Sequence, residues 1–411
     1  MSELVFENFS FRKEPLKDDL LRITYAKRYY FVLSFNELFN IDKDFSFESK
    51  KLIFPNTSLE SARRKFDLLL DNGLKNLRHS LNNKKVFFID EFSEVPLIGS
   101  NEFGIVDRNT NIIELKPLTG CNFNCIYCSV DEGKNSKIAD VLIEPYYLAD
   151  EAAKLASIKK HPVEFNIGPH GEPLLYPFMV ELVSELRKIP NCEVISVNTN
   201  GSLLSKKLID DLKAAGLSRI NLSLNSLDKP TLDKLSDIDY PLDHILSMID
   251  YANSVGLPVL IAPLIIPTLN DDPIKDIEPL VKLAKTIKSP FPTIGFQKFL
   301  SYKNGRNPVK EVSFDDFFNL LIPFEKKYDI VLTPRKNYNP FNIFEDTRLA
   351  KPFKKGDIVK ARIVSVGRVK SEKLVVAGDR IITVRGLFKE TGHVSIKIVR
   401  DKHNIFLAVP V

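Results

Sequence analysis

The chain has 411 residues, 44% of them hydrophobic and 27% charged, which suits two or three globular domains with a sizeable core and excludes a largely disordered protein. Within the first twenty residues Glu3, Glu7, Arg12, Lys13 and Glu14 interrupt every apolar run, so no signal sequence or membrane span is expected there. A cytoplasmic, monomeric protein without membrane attachment is the expectation. The net charge is only +5, but residues 351–411 hold 14 Lys and Arg against 5 Asp and Glu, so a tail of +9 follows a body of −4. Such a tail suggests a polyanionic partner, most often nucleic acid, with a solvated basic face as the bland alternative.

Residues 1–105 read as an α+β accessory domain. A helix is predicted over Ser58–Leu81, where Leu59, Ala62, Phe66, Leu69, Leu70, Leu74 and Leu77 fall near helical spacing behind the capping candidates Asn56, Thr57 and Ser58. A strand-like run, Lys85–Ile89, follows, and FGIVDRNTNIIELKP (103–117) reads as two strands around an Asn/Asp turn. Strand and helix then alternate over residues 106–311: IIELKP and Tyr146–Lys159, VEFNI and Phe178–Lys188, VISVN and Leu204–Ala215, INLSL and Thr231–Val255, VLIAPLII and Ile274–Ile287, and a last strand, TIGFQKF. Six such units imply a parallel sheet with outer helices, either an open barrel or a doubly wound sheet. The notable motifs fall at the C-terminal ends of the strands, which favours a partial (β/α)6 barrel. A helical then extended connector spans 312–350, and residues 351–411 read as five short strands of a small β-barrel of the OB type.

Three of the four cysteines lie in LTGCNFNCIYCSVDEG, where Cys121, Cys125 and Cys128 form C-x3-C-x2-C directly after a strand and Gly120. Spacings of four and three align on a helix face, so apolar packing is one reading. Gly120, Asn122 and Asn124 make a loop more natural. Zinc normally takes four ligands, and no fourth Cys or His follows at finger spacing. Three thiolates alone suit an iron-sulfur cluster with one open iron. Cys192 precedes the third strand and is expected at the opposite end of the barrel, as a small buried apolar residue.

C-x3-C-x-Tyr-C after a first barrel strand resembles the signature of the radical S-adenosylmethionine (SAM) enzymes. The resemblance implies that Cys121, Cys125 and Cys128 hold a 4Fe-4S cluster whose fourth iron chelates SAM, with Tyr127 beside the adenine. It also implies an external one-electron reductant, such as ferredoxin or flavodoxin, and a 5′-deoxyadenosyl radical that takes hydrogen from the substrate. Gly171, Glu172 and Pro173, in NIGPHGEPLLYP, match the family's Gly-Glu motif, which contacts the SAM amino group. Asn198, Thr199, Asn200 and Gly201 end the third strand, and Ser223 and Asn225 the fourth; these resemble ribose and carboxylate contacts, or else cap the helices that follow. PLIIPTLND (263–271) resembles the segment that supplies apolar contacts to adenine, with Ile266 among them and Asn270 and Asp271 opening the next helix. In FQKFLSYKNGRNP, Gln297, Lys298, Tyr302, Lys303 and Arg306 either bind phosphate and a base or form an exposed loop held by salt bridges. His170 is within reach of the site, while Asp131 and Glu132 read as charges at a helix N-terminus. No general acid or base is identified.

The tail resembles the TRAM domain found on several tRNA- and rRNA-modifying enzymes, on the pattern of KKGDIVKARIVSVG and GDRIITVRGLFKETGHVSIKIV. That implies an RNA partner, tRNA or rRNA, gripped by Lys354, Lys355, Lys360, Arg362, Arg368, Lys370, Arg385 and Lys389, with Phe353 and Phe388 either stacking bases or in the core. Three functions stand side by side: a radical SAM enzyme modifying an RNA nucleoside by C-methylation or other C–H functionalisation, a radical SAM enzyme acting on a protein, peptide or small molecule, and a non-enzymatic RNA-binding protein with a structural metal. The Gly-Glu motif disfavours the third. The resemblance also narrows the chemistry, because methylthiotransferases carry three further cysteines in their N-terminal domain and dual-cysteine methylases need two extra thiols. Only Cys192 remains, so both routes are disfavoured.

Overall fold

The computed structural model describes residues 2–411 except 16, 81, 134–138, 169, 335–338 and 369–370. The N-terminal segment builds a three-stranded antiparallel sheet (Ser2–Val5, Lys51–Phe54, Ser46–Glu48) and a four-stranded one (Phe9–Glu14, Lys17–Tyr25, Tyr29–Ser34, Arg78–His79). Its helix, Leu59–Leu74, starts where the Ser58 side chain accepts the Ser61 N–H and buries Ala62 and Phe66. It ends earlier than its periodicity predicts. Leu77 keeps its apolar place in the core after the helix has finished, because the chain turns there into Arg78–His79 to pair with Tyr29–Ser34; residue 81 of the predicted span lies outside the described residues.

Val86–Ile89 is a strand, and its partner is unexpected: it pairs in parallel with Asp140–Ile143, in the stretch after the cysteines that the alternation pattern left unassigned. Four consecutive buried residues there read as a fully covered strand only once a neighbour is known.

The strands of the central sheet are Gly104–Asp107, Ile112–Lys116, Val163–Ile167, Cys192–Thr199, Arg219–Leu222 and Val259–Ile261. They lie side by side in that order, the first antiparallel and the rest parallel. Pro263 interrupts the next ladder; Leu264–Ile265 then pairs in parallel with Gln297–Lys298 as a separate two-stranded sheet, linked to the central one by the Ile261–Ile294 bridge. Alternation sorts the strand residues. Phe165, Ile167, Ile195, Val197, Ile220 and Leu222 join the apolar core, whereas Glu164, Asn166, Ser196, Asn198, Arg219 and Asn221 point the other way and bond one another across three strands. The outer helices Pro145–Ser157, Met179–Arg187, Lys206–Ala215, Leu242–Val255 and Glu278–Thr286 bury one face each.

The single helix predicted over Thr231–Val255 is two. Lys229–Ser236 stops at Asp237, which adopts a left-handed conformation, and a new helix starts after Pro241. Pro241 has no N–H for the Asp237 carbonyl four residues back, and it disfavours helical geometry at the residue before it. After the helix Phe314–Tyr328, the tail closes into a five-stranded barrel. Its strands are Ile358–Val366, Glu372–Ala377, Arg380–Arg385, His393–Arg400 and Leu407–Pro410, arranged first-second-third-fifth-fourth around Val375, Ile382, Val384, Ile396 and Phe406. The tail docks on the body through the Ile381 N–H to Ile98 O (3.0 Å) and the Phe406 N–H to Gly99 O (2.8 Å). Among the described residues no helix is long and apolar enough to cross a membrane.

Candidate active site

Cys121, Cys125 and Cys128 sit in a loop between the first barrel strand and Asp140–Ile143, and all three line one cavity of about 510 Å³. The loop is held from three directions. The short helix Lys229–Ser236 offers the carbonyls of its last turn, which lack intrahelical partners: Leu235 O accepts the Ile126 N–H (3.0 Å) and Ser236 O the Asn124 N–H (3.1 Å). Arg306 reaches the loop from beyond the last barrel strand, donating to Asp131 (2.6 Å), to the Asn124 side chain and to Cys125 O (both 2.9 Å). The third support is the loop after the second parallel strand. Gly171 stands at φ +79 with its α-carbon so near Gly120 that a β-carbon would lie 1.9 Å from Gly120 O, so only glycine fits.

Glu172 is buried, and its carboxylate accepts from Thr199 Oγ1 (2.6 Å), the Leu174 N–H (2.9 Å) and the Asn200 N–H (2.8 Å). Burial raises its pKa against the pull of those bonds. Its side chain therefore ties two strand ends together, while the residue also lines the cavity.

The other predicted site residues divide. Tyr127, Asn200, Ser223 and Asn225 line the cavity with Gly171 and Glu172. Asn225 donates to Tyr127 Oη (2.5 Å) and accepts the Leu264 N–H (2.9 Å), so one side chain spaces the cysteine loop from the fifth strand. Ser223 is exposed into the cavity. Three residues are elsewhere. Asn198 is engaged in the ladder with Asn166 (3.0 Å) and Asn221 (2.7 Å); Pro173 is buried in a short 3-10 turn; and Ile266 is wholly buried against Leu235 and Phe299. Leu264, two residues earlier and only partly buried against the same cluster, is the residue of that segment that meets the cavity. Asn270 does not open a helix: it binds the Ile266 N–H and the carbonyls of Asn225 and Leu264 at 2.7–2.8 Å, fixing that segment. Asp272 caps the next helical turn instead.

Gln297, Lys298 and Tyr302 also line the cavity. The Lys298 ammonium is turned to Glu311 (3.0 Å) and Val312 O (2.6 Å) and lies over the Phe314 ring. Lys303 is exposed. Asp131 and Glu132 precede no helix among the described residues; they serve as anchors for Arg306 and Arg368. His170 faces away from the cavity, buried beside those anchors. Leu232, Leu235, Ser236 and Tyr240 also line the cavity and escape the sequence reading, which places 236–241 inside a helix. Pro241 was the signal for the break.

Burial pushes the Cys125 thiol up to about 11 and Cys121 further. Thiols that resist ionisation in an apolar wall are stabilised as thiolates by a bound metal. Cys128 Sγ accepts the Glu132 N–H (3.3 Å). Among the described residues no three His, Cys, Asp or Glu side chains converge as ligands of one ion would. A cluster takes each cysteine at a separate iron, and three thiols lining one cavity fit that demand. Cys192 begins the third parallel strand, at the opposite end of the sheet from this loop, and is half-buried.

In the tail, Lys354, Lys355, Lys360 and Lys389 are exposed, the last bonding His393 O (2.8 Å). Arg362 pairs with Glu94 (3.3 Å) and Arg385 with Glu372 (2.8 Å). Lys370 lies outside the described residues. Arg368 does not face solvent: its guanidinium turns inward to Glu132 (2.9 Å) and Val130 O (2.9 Å). Phe388 is exposed, whereas Phe353 packs edge-on against Phe406 (5.8 Å).

Comparison with known proteins adds three findings. The family model of the radical SAM superfamily matches residues 115–280. The uncharacterized protein MJ0103 of Methanocaldococcus jannaschii is 36% identical over 362 residues, covering 81% of this chain and 82% of its own, and a GTP 3′,8-cyclase of Campylobacter jejuni is 28% identical over 247 residues, covering 60% and 71%. The crystal structure of Streptococcus suis SuiB bound to S-adenosylmethionine is 16% identical, covers 79% of this chain and 70% of that one, and superposes with a TM-score of 0.40.

Proposed function

Because the chain belongs to the radical SAM superfamily, whose members use a 4Fe-4S cluster and S-adenosylmethionine, we propose that it modifies a nucleoside of tRNA or rRNA by C-methylation or other C–H functionalisation. Cys121, Cys125 and Cys128 would hold the cluster, which with SAM supplies a hydrogen-abstracting radical when bound. The chain's own residues do the rest. Asn225 and Tyr127 set the spacing of the walls, the Gly171 backbone and Asn200 bound the cofactor side, and Phe123, Leu232, Leu235 and Leu264 exclude water. Ser223, Gln297 and Tyr302 present polar groups to a substrate.

One observation carries the RNA reading. The basic tail barrel, read as an OB-like, TRAM-type module, is bonded through Arg368 to Val130 O, and Val130 is itself a wall of the cavity. Phosphates held on Lys354, Lys355 and Lys360 would therefore sit on a module fixed to the reaction chamber. The relative whose name gives GTP as substrate is in keeping with a nucleotide-sized guest. The test is a comparison of tRNA and rRNA nucleosides by mass from cells with and without the gene. A nucleoside lost with the gene supports the reading; identical sets overturn it in favour of a peptide or small-molecule substrate.

A further inference from the structure

Three of the buried polar atoms that lack a hydrogen-bond partner lie together, away from the cavity: Glu132 Oε2, His170 Nδ1 and Arg368 Nε. They belong to a small network at the junction of the cysteine loop, the Gly-Glu loop and the tail, with side chains 3%, 2% and 12% exposed. Arg368 donates to His170 Nε2 and to Val130 O and pairs with Glu132 Oε1. A ring nitrogen that accepts from arginine cannot also donate to Glu132, and at 3.5 Å that second contact is the weaker. His170 is thus neutral, and Arg368 alone balances the Glu132 charge. Desolvating such a group with atoms left unpaired is costly and gains no stability over an apolar plug. What the pairing does fix is position: Glu132 is the residue whose N–H meets Cys128 Sγ at 3.3 Å.

We propose that Arg368 of the tail is a positioning residue for the iron-sulfur cluster, holding the Glu132 N–H against Cys128 Sγ and thereby setting the reduction potential. Hydrogen bonds to cluster sulfurs are one of the controls on that potential, because they stabilise the more negative, reduced state. Arg306 clamps the same loop from the barrel side through Asn124 Oδ1, Cys125 O and Asp131, so the loop is held between a barrel arginine and a tail arginine. The tail is then joined through Arg368 to the loop that holds the group to be reduced, and a displacement of Arg368 is felt at one cysteine.

The inference rests on the cluster assignment and not on the identity of the substrate. The full chain, reconstituted anaerobically with iron and sulfide, is titrated to its midpoint potential by electron paramagnetic resonance, alongside Arg368→Met, Arg368→Lys and Glu132→Gln. Arg368→Met is expected to lower the reduced-to-oxidised ratio at fixed potential about fivefold, the equilibrium factor of one net hydrogen bond. Arg368→Lys, which keeps the charge but not the fork, should recover part of that loss. If Arg368→Met does not fold, the smaller shifts in Arg368→Lys and Glu132→Gln decide. Variants that carry a full cluster at the wild-type potential overturn the inference alone. A wild-type chain that takes up no cluster overturns the site and the inference together.

Discussion

Gly171→Ala tests whether the Gly-Glu loop shapes the site by close approach to the cysteine loop. The new methyl would lie 1.9 Å from Gly120 O and 2.6 Å from its carbonyl carbon, both backbone atoms that no rotamer change can move. Two costs combine: about 1–2 kcal/mol for a non-glycine residue held at left-handed φ, and about 1 kcal/mol for the Glu172 N–H to Gly120 O bond (2.9 Å), which breaks as the loops separate. The expected destabilisation is therefore about 2–3 kcal/mol, a melting temperature lower by roughly 5 °C. The functional loss should be larger. Parting the loops by about an ångström displaces the thiols from the strand ends that face them, and misplacement on that scale costs on the order of 100-fold in rate. Gly386→Ala is the control, since Gly386 has φ +74 and nothing within 4 Å of an added methyl. Scanning calorimetry and SAM binding by equilibrium dialysis separate the two variants. A Gly171→Ala protein that melts and binds SAM like Gly386→Ala would refute close approach as the reason for glycine.

Anaerobic reconstitution should load about four irons per chain, with a broad absorbance that Cys125→Ala loses; a wild-type protein that takes only zinc contradicts the site. Asn225→Ala takes one of two side-chain partners from the Tyr127 hydroxyl and leaves the Leu264 N–H unpaired, at about 1–3 kcal/mol, so SAM should bind roughly tenfold more weakly at unchanged iron content. Glu102, half-buried near Arg368, Glu372, Glu132 and Lys116, is raised by loss of hydration to about 7. Folded chains keep it protonated where unfolded ones ionise, so its contribution is complete below about pH 4.5 and lost as pH rises through 7. Glu102→Gln should remove about 2 kcal/mol of that decline between pH 4.5 and 7 in urea titrations, and an unaltered pH profile would count against it. Reversing Lys354, Lys355 and Lys360 to Glu should flatten the salt dependence of RNA binding by about two units of slope; an unchanged slope removes the tail from the RNA interface.

What was legible in the sequence was the chemistry that spacing alone constrains. Cysteines four and three apart behind a strand, and a Gly-Glu pair after the next strand, land on one cavity because parallel strands deliver their C-terminal ends to one rim. Residues judged by type alone were less legible. Asn198 and Asn200 are two apart and so should share a face, yet the strand ends at Thr199: Asn198 stays in the interior ladder while Asn200, already in the loop, reaches the cavity. Ile266 and Leu264 pack in one apolar cluster and differ in depth, Leu264 alone reaching the cavity, and the segment that carries them is held by Asn270, forty-odd residues after Asn225, through three hydrogen bonds.

Charge was the least legible property. A count of +9 over residues 351–411 makes every tail cation look alike, but they are spent differently. Lys354, Lys355 and Lys360 keep their charge at the surface, where its reach in salt is about a Debye length. Arg368 has given up most of its hydration to a buried carboxylate, and a group so placed cannot also neutralise a phosphate without breaking the pair. The guanidinium suits that second task, since one of its nitrogens serves Glu132 and Val130 O while the other reaches His170 Nε2, two donor positions where a lysine has one. The same logic separates Arg306, committed to Asp131 and Cys125 O, from Lys303, three residues earlier and exposed. Composition therefore treats these cations alike, and only tertiary pairing distinguishes the lysines left at the surface from the two arginines that hold the cysteine loop.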